Sequence, residues 1–138
     1  LSTSDDLDVL ARTVHGEARG EPFEGALAVA WVVVNRSRMW AKRVRDICLQ
    51  PWQFSAWNQK DPNLRVIATV SVDSDPEYVR SLAAAACALA HALPDPTGKA
   101  TDYHTIERPS GVDPWPPVWA KDYIPTVRLG SHQFYRRT

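Results

Sequence analysis

One uninterrupted apolar stretch constrains the fold more than any other part of this sequence. Residues 26–34 read Ala-Leu-Ala-Val-Ala-Trp-Val-Val-Val, so a helix formed there is apolar on every side and has to be buried all round. We therefore predict a central core helix that starts at Pro22, a residue suited to the first helical turn, and runs to about Arg38. The consecutive valines would also suit a buried strand, but the length of the stretch and its helix-forming flanks favour a helix.

Weaker periodic patterns predict further helices around this one. Apolar residues at helical spacing predict a first helix that begins near Thr3 or Ser4 and ends where Gly16 and Gly20 follow. A short helical turn at 44–48 leads into a polar loop, which extends to residue 75. Asp75 then caps a helix over residues 78–92, because Asp at this position and Pro directly after it are typical of a helix start.

The last third of the chain has a different pattern, typical of strands and turns. Short strands are predicted at 103–105, 126–129 and 133–135, around a loop rich in Pro and Trp at 109–119. The layout predicts an α+β fold that is mostly helical and carries a small β cap. We expect a single catalytic domain spanning residues 1–138, with no separate binding module.

The charge balance excludes several classes of partner. Sixteen basic and sixteen acidic residues cancel, and no polybasic tract favours nucleic acid or an anionic membrane. The longest apolar run is far shorter than the ~20 residues that span a bilayer, and the acidic start of the chain does not resemble a secretion signal. We therefore expect a monomer without stable membrane insertion. Its two cysteines, Cys48 and Cys87, are predicted to be free thiols.

Glu17 is the candidate catalytic residue, within the segment Gly-Glu-Ala-Arg-Gly-Glu at 16–21. A carboxylate at the C-terminal end of a helix faces the negative end of the helix dipole, which disfavours its ionised form. Partial burial would raise its pKa further, as a general acid working near neutral pH requires. The alternative is an exposed carboxylate at a helix end. Glu21 begins the next helix and should stay charged, as a cap or a partner of Arg19.

Several motifs together resemble one family. Residues 11–25, 28–30 and 34–36 are similar to the opening of the cell wall hydrolase family typified by spore cortex-lytic enzymes. Later pieces follow in the family's order: Ile47-Cys48, Gln53-Phe54-Ser55, Tyr103-His104 and residues 129–136. The resemblance implies a lysozyme-like fold related to lytic transglycosylases, cleavage of peptidoglycan between N-acetylmuramic acid and N-acetylglucosamine, and Glu17 as acid and base.

The resemblance also implies where the protein acts and what it needs. It implies action on the bacterial cell wall, in the periplasm or outside the cell. The spacing of the histidines predicts that no metal is required, and no other cofactor is expected. Because spore enzymes commonly add a peptidoglycan-binding repeat and this chain has none, the chain is more similar to a bacteriophage endolysin, made in the host cytoplasm and released to the wall.

Side chains for the substrate are proposed in three groups. Polar groups of the 53–55 motif could hold the N-acetyl group, and Tyr103 and His104 are expected to lie beside Glu17 in the cleft, with Tyr135 nearby. Three tryptophans are candidate sugar platforms, although each could fill the core instead. The complete substrate set is Gln53, Ser55, Tyr103, His104, Trp57, Trp115, Trp119 and Tyr135.

Three alternatives remain open. A hydrolytic muramidase would need a second carboxylate, for which Asp102 is the nearest candidate, whereas a single acid predicts a 1,6-anhydromuramic product. A zinc amidase is disfavoured because the four histidines lack short metal-ligand spacing, and His15 and Glu17 point to different helix faces. The third alternative is a non-catalytic wall-binding protein.

Overall fold

Helices make up the first two thirds of the computed structural model, which describes residues 3–51 and 53–137. Within these residues, five α-helices and two short 3₁₀ helices precede or flank three strands. The α-helices are α1 (Thr3–Ala18), α2 (Phe23–Trp40), α3 (Val44–Leu49), α4 (Asn63–Thr69) and α5 (Glu77–Leu89). The 3₁₀ helices cover Ser55–Trp57 and Val118–Asp122, and the strands are β1 (Asp102–Thr105), β2 (Ile124–Leu129) and β3 (His132–Arg136).

The apolar stretch forms the central helix, as predicted. Every residue of α2 from Gly25 to Val34 is buried. Helices α1, α2 and α5 all pack against one another. Pro22 occupies the N-cap position of α2, one residue before the first helical turn. The helix ends at Trp40 and is capped by Ala41, whose φ of 52° is left-handed and whose N–H donates to the carbonyl of Ser37.

Helix α5 packs closely because its buried side chains are small. Asp75 Oδ1 accepts the N–H of Glu77 at 2.9 Å, but the N-cap position is Pro76, one residue after the predicted cap. Ala84, Ala85 and Ala88 are fully buried against the neighbouring helices. The helix stops at Leu89, three residues short of the predicted end, and His91 beyond it has a φ of 54°.

The prediction of a loop at residues 63–69 was wrong, because these residues form α4. The helix begins where Asp61 Oδ1 accepts the N–H of Asn63 at 2.8 Å. Ile67 is its buried contact and meets α1 near Gly16. One buried apolar residue in seven leaves almost no helical periodicity in the sequence, so the pattern could not indicate this helix.

The three strands form an antiparallel sheet in the order β1-β3-β2, which confirms the predicted α+β class. Tyr103 lies opposite Phe134, and Asp102 lies opposite Tyr135. Because side chains alternate along a strand, the sheet has two different faces. Phe134 is fully buried against Ala28 of α2, so the face that carries Tyr103 and Phe134 covers the helical body.

Both cysteines are free thiols. Cys48 is fully buried in α3, and burial raises the pKa of its thiol to about 12. Across residues 3–51 and 53–137, no helix combines the length and apolar character needed to cross a bilayer.

Candidate active site

Glu17 lies in the last turn of α1 and is partly buried. Its Oε1 accepts a hydrogen bond of 2.7 Å from Tyr103 Oη. Burial is the largest influence on the Glu17 carboxyl and raises its pKa above the ordinary value. The bond from Tyr103 and the charge of Arg36 oppose this rise, whereas the carboxylate of Asp61 adds to it. The site therefore holds a carboxyl group that keeps its proton to a higher pH than an exposed glutamate.

Gly16 allows a second segment to approach the end of α1. A Cβ atom at this position would lie 2.7 Å from Ala56 Cβ and 3.1 Å from Ile67 Cγ2. The absence of a side chain thus lets the 3₁₀ helix Ser55–Trp57 pack directly beside the turn that carries Glu17.

The turn after α1 is fixed by Arg19 and Gly20. Gly20 has a φ of 89°, in the left-handed region that favours glycine. Pairing between Arg19 and Glu21 was one of the two expectations for Glu21. Arg19 Nη2 instead donates to Asn63 Oδ1 at 2.6 Å. This contact ties the start of α4, and with it Asp61, to the end of α1.

Glu21 anchors the β2–β3 turn. Its Oε1 accepts the N–H of Ser131 at 2.8 Å, and its Oε2 accepts the Ser131 hydroxyl at 3.1 Å. His132 Nδ1 lies 3.5 Å from the same carboxylate. Glu21 thereby links the junction between α1 and α2 to the sheet that carries Tyr103.

Tyr103 lies beside Glu17, as predicted. Its ring is held against Phe134 at 5.4 Å and edge-on to His132 at 4.9 Å, centroid to centroid. Burial, together with the neighbouring Glu17, raises the pKa of the Tyr103 phenol well above its ordinary value. Tyr103 is therefore a persistent hydrogen-bond donor to Glu17.

His104 lies on the opposite face of the sheet, so the expectation that both residues flank Glu17 holds for Tyr103 alone. Neighbouring residues on a strand point to opposite sides, which separates the two side chains. His104 Nε2 is 2.8 Å from Tyr135 Oη, and its ring is 5.2 Å from that of Trp115 and 5.8 Å from that of Trp119. We call His104, Trp115, Trp119 and Tyr135 the outer aromatic cluster.

A cavity of about 500 Å³ adjoins the outer aromatic cluster at Tyr135. It is mostly apolar, and four of its nine lining residues belong to the loop rich in Pro and Trp. The lining residues are Pro114, Pro116, Pro117, Val118, Ala120, Lys121, Tyr123, Pro125 and Tyr135.

The motif at residues 53–55 lies between Arg36 and the 3₁₀ helix beside Glu17. Gln53 is exposed, and its Oε1 accepts a hydrogen bond of 3.3 Å from Arg36 Nη1. Phe54 is buried, and Ser55 is exposed at the start of the 3₁₀ helix. An exposed amide and an exposed hydroxyl thus stand on the segment nearest to the end of α1.

Trp57 has a role in the fold. Its Nε1 donates to Thr13 Oγ1 at 2.8 Å, and its ring packs partly buried against the core. It also lines a cavity of about 420 Å³ together with Gln50 and Asn58. A second cavity, of about 500 Å³, is lined by residues 58–62 and shares Asn58 and Gln59 with the first. The walls of both cavities are more apolar than polar, and Asp61 lies in the wall of the second.

Asp102 is held by arginines and does not contact Glu17. Both of its oxygens accept bonds from Arg137, at 2.9 and 3.1 Å, and Thr101 Oγ1 donates to it at 2.7 Å. Burial by itself would raise the pKa of Asp102, but the bonds from Arg137 and Thr101 and the charge of Arg36 hold it below its ordinary value. Asp102 is an ion-paired carboxylate, which does not suit the second acid for which it was a candidate.

The sequence did not single out Arg36 and Asp61, the two charged residues that act on Glu17. Arg36 lies two residues after the apolar stretch and is only 6% exposed. A charged residue on the buried face of a helix has to be paired, and this signal could have drawn attention to it. The neighbourhood of Asp61 depends on α4, which left no sequence pattern.

Within the described part of the chain, no three His, Cys, Asp or Glu side chains come together as metal ligands would. His15 is fully buried on another side of α1, with Nδ1 3.2 Å from Ser81 Oγ and Nε2 3.3 Å from Asp75 Oδ2. Its surroundings are those of a core histidine, and burial lowers its pKa.

Comparisons with known proteins agree on one family. A profile of the cell wall hydrolase family matches residues 20–135. Over 136 residues and 96% of its length, the chain is 29% identical to the spore cortex-lytic enzyme of Bacillus subtilis (strain 168) and 30% identical to that of Halalkalibacterium halodurans. It spans 38% and 35% of the length of these two relatives.

Two solved structures share the fold. The catalytic domain of the germination-specific lytic transglycosylase SleB from Bacillus anthracis aligns with a TM-score of 0.67 at 23% identity, over 95% of this chain and 93% of that domain. The catalytic domain of the Bacillus cereus SleB protein gives the same score and identity, over 96% and 91%. The predicted lysozyme-like fold is thereby confirmed. With the family profile covering most of its length, the chain belongs to the cell wall hydrolase family.

Proposed function

We propose that this protein is a peptidoglycan lytic transglycosylase, which cleaves between N-acetylmuramic acid and N-acetylglucosamine and leaves a 1,6-anhydromuramic end. The observation that carries the proposal is Glu17, a partly buried carboxyl with a raised pKa, fixed by Tyr103. The names of the relatives, spore cortex-lytic enzyme and lytic transglycosylase, support the same activity.

In this mechanism Glu17 acts first as an acid and then as a base. The protonated carboxyl gives its proton to the glycosidic oxygen, and the bond from that oxygen to C1 of the muramic sugar breaks. The muramic N-acetyl group stabilises the positive charge at C1. The Glu17 carboxylate then removes the proton from the C6 hydroxyl of the same sugar, and the C6 oxygen bonds to C1, which closes the anhydro ring.

Tyr103 keeps Glu17 oriented through both steps. Its hydrogen bond goes to Oε1, which leaves Oε2 as the atom that exchanges the proton with the substrate. The raised pKa of the Tyr103 phenol prevents it from losing its own proton to the carboxylate.

The substrate is proposed to lie along the 53–62 side of Glu17. Gln53 and Ser55 offer an exposed amide and hydroxyl for the N-acetyl group. The cavities lined by Trp57 and by residues 58–62 follow them along the chain. The outer aromatic cluster lies on the other face of the sheet from Tyr103, so the proposal excludes its residues from contact with the reacting sugar.

A hydrolytic muramidase is the second candidate, and Asp61 favours it. Asp61 is the carboxylate whose charge acts on Glu17, whereas Asp102 is bound by Arg137. A water activated near Asp61 could take the place of the C6 hydroxyl.

Mass spectrometry of purified sacculi after digestion tests the proposal. We expect anhydro ends, lighter than hydrolysed ends by one water molecule, and no digestion by Glu17→Gln, since loss of proton transfer costs about 10²–10⁴-fold. Reducing ends, together with an inactive Asp61→Asn, would make the protein a muramidase. Released peptide stems would indicate an amidase, and no release of muropeptides would indicate a wall-binding protein.

The proposed enzyme works at the bacterial wall, in the periplasm or outside the cell, as a monomer without a metal cofactor. Exhaustive chelation should therefore leave its activity unchanged. Activity lost on chelation and restored by zinc would instead favour the amidase.

A further inference from the structure

Arg36 occupies a central position behind the candidate site. It projects from the last third of α2 and is almost completely buried. Its Nε donates to the carbonyl of Thr101 at 2.5 Å, and its Nη1 donates to Gln53 Oε1 at 3.3 Å. One guanidinium thus bonds to the residue just before β1 and to the segment beside the 3₁₀ helix.

These contacts join the two sides of the site. Thr101 directly precedes the strand that carries Tyr103, and the Arg36 guanidinium also lies over the ring of Phe54, 5.2 Å from its centroid. Neither side contacts the other through hydrogen bonds of its own among the described residues. Because a guanidinium is planar with donors in a fixed fork, it holds two acceptors at a set separation, which a lysine cannot do.

The charge of Arg36 acts on Glu17 as well. The groups that face Glu17 from other elements are Tyr103 on β1, Arg36 on α2 and Asp61 before α4. Arg36 is the positive one among them, and its partner Asp102 lies 3.9 Å away, too far for a tight ion pair. In the proposed reaction, Glu17 becomes an anion in a partly buried place after it gives up its proton, so a nearby positive charge stabilises that intermediate state.

We propose that Arg36 is a positioning residue, which fixes the strand of Tyr103 and the Gln53 segment relative to Glu17 and supplies the positive charge that the ionised Glu17 faces. This inference rests on the proposed function. The bond to Thr101 fixes the position of the start of β1, and the bond to Gln53 positions the side-chain amide for the substrate. The positive charge favours the carboxylate form of Glu17, which acts as the base in the second step.

The experiment compares the pH dependence of kcat/KM on purified glycan for four proteins. These are the wild type, Arg36→Gln, Arg36→Lys and Arg137→Gln. Arg137 is the matched control because, like Arg36, it lies over the ring of Trp40 and beside Asp102, but it does not act on Glu17.

Only the variant that removes the charge of Arg36 is expected to shift the pH profile. Arg36→Gln removes the charge, so the basic limb of the profile should move to higher pH by roughly half a unit or more, less than the 1–3 units of a directly adjacent charge. Arg36→Lys should keep the limb in place but lose about tenfold or more in kcat/KM, since it cannot bridge both acceptors. Arg137→Gln should keep the limb in place.

Two outcomes would overturn the inference. One is that the basic limb of the pH profile of Arg36→Gln coincides with that of Arg137→Gln. The other is Arg36→Lys with near wild-type kcat/KM, a result that decides the matter even if Arg36→Gln does not fold. Failure of the proposed function is distinguishable, because Glu17→Gln would then still cleave glycan or the wild type would not.

Discussion

Two opposing influences act on the pKa of Glu17. Their balance affects the stability of the folded protein as well as the chemistry of the carboxyl group. Partial burial favours the neutral acid, whereas Tyr103 and Arg36 favour the anion. Burial prevails, so the pKa in the folded protein exceeds the ordinary value of ~4.3 that the unfolded chain has. Between these two values the folded state holds a proton that the unfolded state has released, and stability falls as the pH rises through this window.

The Glu17→Gln variant should therefore be more stable than the wild type above this window. Gln keeps the acceptor for Tyr103 and does not titrate. The excess in melting temperature should grow as the pH rises from about 4 through the folded pKa of Glu17 and then level off. Thermal melts in a pH series measure it, and a difference that does not change with pH would contradict the raised pKa.

The phenol of Tyr103 should affect both rate and pH profile. Tyr103→Phe removes a donor that favours the anion, so the pKa of Glu17 rises and the basic limb of kcat/KM moves to higher pH. The rate should fall about ten- to a hundredfold, as expected for one lost hydrogen bond to a charged group.

The control for this variant is Tyr135→Phe. It deletes a phenol that bonds to His104 on the other face of the sheet, so its pH profile should match that of the wild type. A Tyr103→Phe limb that stays in place would show that the phenol does not act on Glu17.

At the scale of elements, the close contact between α1 and the 3₁₀ helix Ser55–Trp57 is sensitive to one methyl group. In Gly16→Ala the new Cβ would lie 2.7 Å from Ala56 Cβ. Alanine gains up to about 1 kcal/mol in helix propensity, but overpacking costs about 1–3 kcal/mol. We expect net destabilisation in urea titrations and a larger loss of activity, since the Gln53 segment has to shift. Unchanged activity would show that this segment does not contribute to the site.

The tie between Glu21 and the β2–β3 turn gives a second prediction. Glu21→Ala removes the acceptor of the Ser131 N–H and hydroxyl and should destabilise the protein by about 1 kcal/mol, since water can replace the acceptor at this exposed turn. Amide hydrogen exchange in this variant should be faster than in the wild type, and the increase should be larger in β3 than in α5. Uniform exchange along the chain would show that the turn does not depend on Glu21.

Elements with a strong local pattern could be predicted from the sequence, and elements defined by distant contacts could not. Residues 26–34 predicted α2 because nothing except burial suits nine apolar residues. Helix α4 has one buried contact, Ile67, and depends on its Asp61 cap and on Arg19 far earlier in the chain. The sequence grouped Tyr103 with His104, although strand alternation applied to adjacent residues would have separated them.

At the scale of the whole molecule, the candidate site is assembled from segments far apart in the chain. Glu17 and Tyr103 are separated by 86 positions, and Arg36 bonds to Thr101 across 65. The family resemblance supplied Glu17 and its surroundings as motifs. The sequence assigned no role to the charges that act on Glu17. Arg36 lies within a family motif and Asp61 outside all of them, and their proximity to Glu17 depends on how α2 and α4 pack.

The tie between Glu21 and Ser131 also bears on the order of synthesis at the ribosome. Glu17 and Glu21 are synthesised before Tyr103, and Ser131 is synthesised after it. A nascent chain stopped before residue 131 has its acid but not the turn that holds the sheet against it. Synthesis therefore completes the anchored form of the candidate site only once the β2–β3 turn has been made.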